Sequence, residues 1–165
     1  MKNVDKSDLI AGIKAIADHR DMADLEFIAE ALNVTFSDPI ESTATMRRGA
    51  EKLYCERFIG KAIEAKRYPI YVRYSRIYGK IKTTPLKQAS LVISPDSSVF
   101  SLTAQDLIDS LNAPTGEISV GMVNPIDTIE WKFNPLSHAY EFYLHCSYLR
   151  NTNLVTTLFF TQDFL

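Results

Sequence analysis

The sequence predicts an α+β protein, with an N-terminal three-helix part followed by a largely antiparallel sheet of about five to six strands with one inserted helix. Apolar residues recur at helical spacing in the first part of the chain and alternate with polar residues in the last part. The two patterns are segregated along the chain, which favours α+β over alternating βαβ units. The 165 residues fit a single domain, with a helical part over 1–67 and a sheet-rich part over 68–165.

Three helices are predicted in the N-terminal part. Leu9, Ile13 and Ile16 place one apolar face on a helix over 7–18, and a second helix runs to about Leu32. The third is predicted over 42–66, because its apolar residues cover more than half of a helical circumference. We expect that helix to be buried on two sides; its apolar positions are Met46, Ala50, Leu53, Tyr54, Phe58, Ile59, Ala62 and Ile63.

The remainder predicts strands with one helix between them. Segments 70–78, 89–94 and 99–102 are rich in β-branched and aromatic residues. Thr103 and Asp106 resemble a capping box that opens a helix ending near Leu111. The last fifty residues predict an antiparallel meander with side chains on alternating faces. In its second half, Tyr140, Phe142, Leu144, Cys146 and Tyr148 alternate inward. The outward positions of the meander are Glu130, Lys132, Glu141, Tyr143, His145 and Ser147.

Composition predicts an ordinary soluble protein of the cytoplasm. Hydrophobic residues make up 46% of the chain and charged residues 23%, and the first residues lack the apolar core of a signal peptide. No segment is apolar and long enough to span a bilayer, so no membrane partner is expected. Cys55 and Cys146 lie far apart and predict two reduced, buried thiols. The sequence contains no metal-ligand pattern and no cofactor motif, and we expect no cofactor.

Charge is distributed very unevenly. Residues 46–87 contain twelve Lys or Arg and three acids, whereas 1–45 and 88–165 carry net charges of −5 and −6. A positive block of this size indicates a polyanionic partner, or internal pairing with the acidic ends.

Tyrosines alternate with bases in the second half of the block, over 67–82. Cations contact phosphates, and aromatic rings stack on unpaired bases. We therefore expect a non-enzymatic protein that binds RNA, single-stranded DNA or another polyanion. The candidate binding residues are Arg48, Lys52, Tyr71, Arg73, Arg76, Tyr78, Lys80 and Lys82. In a regular strand Tyr71 and Arg73 share the outward face, whereas Arg76 and Tyr78 have the parity of the core face.

Two alternatives stay open at this point. The first is a protein–protein interaction module, such as an inhibitor, immunity or accessory protein that docks on an acidic protein partner. The weaker second is a metal-dependent nuclease, in which Asp96 or Asp127 acts with Glu130 and Lys132. His145 is a further catalytic candidate if Glu130 or Lys132 approaches it from the adjoining strand.

Overall fold

Nine antiparallel strands in one sheet and three helices make up the described part of the chain. A computed structural model describes residues 5–45, 52–63, 70–97, 101–119, 125–136 and 139–164. The prediction of a three-helix part followed by a sheet of five to six strands is wrong, because the sheet is larger and already begins at Val34. Helices and antiparallel strands are both present, as α+β implies.

Local capping defines the first two helices, α1 (Lys6–His19) and α2 (Leu25–Leu32). Asp5 accepts a hydrogen bond from the Asp8 backbone N–H and closes a capping box at the start of α1. Asp24 caps α2 in the same way through the Phe27 N–H. Each helix ends at a residue with left-handed backbone, Arg20 and Asn33 respectively.

The predicted third helix over 42–66 is replaced by strands. The chain forms β1 (Val34–Phe36), β2 (Ile40–Thr45) and β3 (Lys52–Ala62), and β3 pairs with both of the others. Leu53 and Cys55 are buried on one face of β3 and Phe58 on the other. A strand with apolar residues on both faces loses the period-two pattern of apolar and polar residues. The sequence of β3 therefore resembles that of a broadly apolar helix.

The remaining elements are close to those predicted, except for the strand over 99–102: residues 101–102 form no strand, and 99–100 lie outside the described residues. These elements are β4 (Ile70–Ile77), β5 (Gln88–Pro95), α3 (Ala104–Leu111), β6 (Gly116–Ser119), β7 (Ile126–Phe133), β8 (Ala139–Leu149) and β9 (Val155–Phe164). The capping box of Thr103 and Asp106 is confirmed at the start of α3. The strand order is β1-β3-β4-β5-β9-β8-β7-β6, and β2 lies beside β1 on β3.

The three helices cover one face of the sheet. Ile13, Ile28 and Leu107 are fully buried and belong to the same apolar cluster as Leu91 and Phe160 of the sheet. Helix-side positions of the strands therefore form the main core, and the intervening side chains lie on the opposite face.

Polar groups attach the turn between α1 and α2 to the sheet. The Tyr74 hydroxyl donates to the Met22 carbonyl at 2.7 Å, and Gln162 accepts from the Met22 N–H at 2.7 Å. Gln162 also donates to the Arg20 carbonyl at 2.9 Å. Because Tyr74, Gln162 and Met22 are fully buried, the two bonds to Met22 satisfy backbone groups that water does not reach. No helix among the described residues is long and apolar enough to cross a membrane.

Candidate functional site

The sheet face opposite the helices, called the open face below, carries many polar side chains and several aromatic ones. Strand parity assigns its members, because side chains at alternate positions point to the same side. Its central row follows the register Ile59↔Arg73, Arg73↔Val92, Val92↔Phe159, Phe159↔His145 and His145↔Glu130. Neighbouring rows add Arg57, Lys61, Tyr71, Tyr143 and Lys132, together with two acids, Glu141 and Asp163.

Three rings lie together on β8 and β9. The ring centroids of Tyr143 and His145 are 6.0 Å apart with planes inclined at 22°, and those of His145 and Phe159 are 6.4 Å apart at 19°. All three side chains are half-buried between their strand neighbours. Burial and a hydrogen bond with Glu141 raise the pKa of Tyr143. The result is a cluster of three nearly parallel rings with partly exposed surfaces.

Two charged residues of β7 border this cluster of rings. His145 Nε2 lies 2.6 Å from Glu130 Oε2, on the neighbouring strand. Lys132 Nζ lies 5.5 Å from the centroid of the Tyr143 ring, within cation–π range. The structure thus brings Glu130, Lys132 and His145 together on one face. They lie on an extended sheet surface, and the described residues include no group of three or more potential metal ligands.

The β3–β4 side of the open face is basic. Arg57, Lys61 and Arg73 occupy it, and its other described positions are uncharged. Tyr71 lies beside them and is 48% exposed. The ion pairs between described side chains involve other bases, namely Lys6, Lys14, His19, Lys82, His145 and Arg150. Positive charge on this half is therefore not neutralised by described carboxylates.

Of the predicted binding residues, Tyr71 and Arg73 lie on the open face, whereas Arg76 points toward the helices. Its Nη2 donates to the Ala23 carbonyl at 2.8 Å and its Nε to the Tyr74 hydroxyl at 3.1 Å. Tyr78 follows β4 and contacts Tyr54, with ring centroids 5.7 Å apart. Arg76 therefore has a role in joining the turn before α2 to the sheet.

The other predicted bases lie near the end of the sheet. Lys52 is the exposed first residue of β3, and Lys80 and Lys82 lie in the turn between β4 and β5. Lys82 Nζ is 3.6 Å from Oε1 of the buried Glu56, too far for a hydrogen bond but close enough for electrostatic attraction. Arg48 lies outside the described residues.

The acids of the nuclease alternative are separated. Asp127 lies on the other face of β7 from Glu130, and two nitrogens of Arg150 contact it at 2.9 and 3.1 Å. That interaction holds the pKa of Asp127 below its usual value. Asp96 follows β5, three strands away from β7 in the sheet order. The structure does not bring either of these aspartates to the Glu130 and Lys132 pair.

Phe159 and Arg57 are members of the open face that the sequence patterns did not single out. Phe159 and Phe160 are consecutive in β9, so one of the two rings must face away from the core. Arg57 lay in the segment that predicted a helix. The cysteines are buried as expected, and burial raises the pKa of the Cys146 thiol to about 12. That thiol is therefore not an activated nucleophile.

Comparison with models of protein families, with curated proteins and with solved structures found no match for this chain.

Proposed function

We propose that the chain binds single-stranded nucleic acid on its open face, without catalysing a reaction. The main support is that cations outside the described ion pairs and stacked aromatic rings lie on the same face of the sheet. Arg57, Lys61 and Arg73 lie on its β3–β4 side, and Tyr143, His145 and Phe159 lie on β8 and β9. Phosphates and unpaired bases are the two groups that such a surface recognises together.

The distribution of ion pairs supports an external polyanion over internal neutralisation. If the acidic ends served to neutralise the basic block, ion pairs would join the two. Arg57, Lys61 and Arg73 take part in none of the ion pairs between described side chains, and Lys82 pairs with Glu56 inside the basic block itself. The cations on the open face thus remain able to contact phosphate and to release its counterions.

The spacing of the face fits a short stretch of single strand. Arg73 and His145 lie in one row across three strand spacings, or about 14 Å. The rings of His145 and Phe159 in this row are partly exposed. Unpaired bases can stack against them more readily than bases held in a duplex. We therefore expect a preference for single-stranded over duplex nucleic acid.

Fluorescence anisotropy with labelled single-stranded RNA, single-stranded DNA and duplex DNA of equal length tests the proposal. We expect affinity for both single strands that falls steeply with salt. Arg73→Glu should weaken binding about ten-fold and reduce the salt slope, because a phosphate contact becomes a repulsion. Tyr71→Ala should weaken binding by about 1–3 kcal/mol if its exposed ring stacks on a base.

Lys14→Glu is the matched control for charge, because Lys14 is exposed on α1, on the helical side. It should leave affinity nearly unchanged. Absence of association at low salt would refute the proposal, as would equal losses for Arg73→Glu and Lys14→Glu. If the open face binds an acidic protein but none of the three nucleic acids, the protein-interaction alternative would replace this proposal.

A further inference from the structure

A pocket of about 910 Å³ lies at the end of the sheet, separate from the cluster of rings on the open face. One wall is the turn between β4 and β5, and the opposite wall comes from the start of β8 and the end of β9. Its main apolar contributors are Leu53, Ile81, Pro85, Leu86, Tyr140 and Phe164. A cavity of this size is in the range of small-molecule sites in proteins.

Two large apolar side chains at the pocket are exposed. Ile81 is 59% exposed and Tyr140 is 65% exposed. Tyr140 lies at a β-bulge, where the pairing of β8 with β9 shifts between Ala139 and Glu141. The bulge takes Tyr140 out of the inward-facing series that sequence alternation predicts. Neighbouring exposed apolar groups of this kind favour burial against an apolar ligand.

The turn that forms the pocket wall is held in place without a ligand. Thr84 Oγ1 accepts from the Gly79 N–H at 2.7 Å, and the Thr84 N–H donates to the Ile81 carbonyl at 3.1 Å. The Lys87 N–H donates to the Ile77 carbonyl and the Lys87 carbonyl accepts from the Phe164 N–H. These bonds preform the wall, which lowers the conformational cost of binding.

The charged side chains that line the pocket are two lysines and one carboxylate. Residues 79–87 contain three lysines and no acid, and two of them, Lys80 and Lys87, line the pocket. The one carboxylate in the lining, Asp163, accepts a hydrogen bond from Gln88 Nε2 at 2.7 Å. An apolar floor with a cationic rim complements a molecule that has an apolar body and one anionic end.

We infer that this pocket binds a small organic carboxylate with an alkyl or aromatic body. The apolar body lies against Ile81, Leu53 and Tyr140, and the carboxylate lies near Lys87. The inference is independent of nucleic-acid binding, because none of these residues belongs to the basic side or the stacked rings of the open face.

Isothermal titration with octanoate, octan-1-ol and octylammonium tests both halves of the inference with one chain length. We expect saturable binding of octanoate with one site per chain, and at least about ten-fold weaker binding of the alcohol and the ammonium ion. Lys87→Gln should weaken octanoate binding several-fold and leave octanol binding unchanged. Ile81→Gln and Tyr140→Ser should weaken both ligands, and because both side chains are exposed the fold should persist.

Lys14→Gln on α1 serves as the control and should not change octanoate binding. Equal affinity for octanoate and octylammonium would overturn the inference, and so would unchanged octanoate binding in Lys87→Gln and Ile81→Gln. The three pocket variants, Lys87→Gln, Ile81→Gln and Tyr140→Ser, should keep wild-type affinity for single-stranded RNA. Loss of octanoate binding alone and loss of RNA binding alone are therefore distinguishable results.

Discussion

His145 Nε2 and Glu130 Oε2 lie 2.6 Å apart on neighbouring strands of the open face. Their contact places a carboxylate directly beside the stacked rings of Tyr143, His145 and Phe159. For a surface that binds phosphates, this carboxylate is an unfavourable neighbour. It also orients the imidazole ring by a hydrogen bond, so its two effects can be separated by substitution.

Glu130→Gln should strengthen binding of single-stranded RNA about five-fold. The amide can still hydrogen-bond His145, while removal of one negative charge near the phosphates is worth about 1 kcal/mol. Anisotropy at low salt measures the change. Glu26→Gln, on the exposed surface of α2, is the control and should have little effect. Weaker binding in Glu130→Gln would contradict a phosphate path next to this residue.

Tyr74→Phe should reduce the free energy of unfolding by about 1–3 kcal/mol. The substitution removes the hydroxyl that donates to the Met22 carbonyl and accepts from Arg76 Nε, in a site that is fully buried. Urea denaturation monitored by circular dichroism gives the difference. Tyr71→Phe, at an exposed tyrosine of the same strand, should change stability by less than about 0.5 kcal/mol. Equal stability of the two variants would exclude this role of the hydroxyl.

Asp127→Asn should make stability less dependent on pH in acid. Arg150 lowers the pKa of Asp127 in the folded protein below its ordinary value of 3.8, so the ionised form stabilises the fold. That contribution is fully present above pH 3.8 and is lost as pH falls through the lowered pKa. The stability difference between wild type and Asp127→Asn, measured by urea unfolding, should therefore shrink between pH 7 and about pH 2.5. Arg150→Gln should reduce the acid dependence similarly, and a constant difference across this range would refute the linkage.

Gly12→Ala should destabilise the protein although alanine favours helix by about 1 kcal/mol over glycine. Gly12 is buried in α1, and a methyl group there would overlap the Ala31 carbonyl of α2. Forcing the two helices apart costs about 1–3 kcal/mol, which exceeds the gain in propensity. Thermal unfolding tests the sign. Ala11→Gly at an exposed neighbouring position should lose only the propensity difference, and a more stable Gly12→Ala would show that the helices adjust freely.

Local signals predicted much of the fold. Helical spacing identified α1 and α2, the Thr103 and Asp106 capping box identified α3, and alternation identified β7 and β8 with their buried and open faces. These patterns involve residues close in sequence. The segment of β3 was assigned to a helix, because Leu53 and Cys55 are covered from one side and Phe58 from the other by parts of the chain distant in sequence.

The candidate site was predictable only in pieces. Parity placed Tyr71, Arg73 and His145 outward, which agrees with their positions on the open face. Arg76 has the parity of the core side, and its bonds to Tyr74 and Ala23 depend on a turn more than fifty residues earlier. Alternation also placed Tyr140 inward, and the bulge in β8 changed that position.

The sequence by itself determined the capping box of α3, the alternation of β7 and β8, and the concentration of positive charge in residues 46–87. Those properties depend on neighbouring residues and on composition. Only the tertiary structure decided that 52–62 is a strand and that Arg57 and Arg73 share a face with Phe159 and His145. The reason is that strand pairing and burial on both faces are set by contacts between distant segments, which no local pattern encodes.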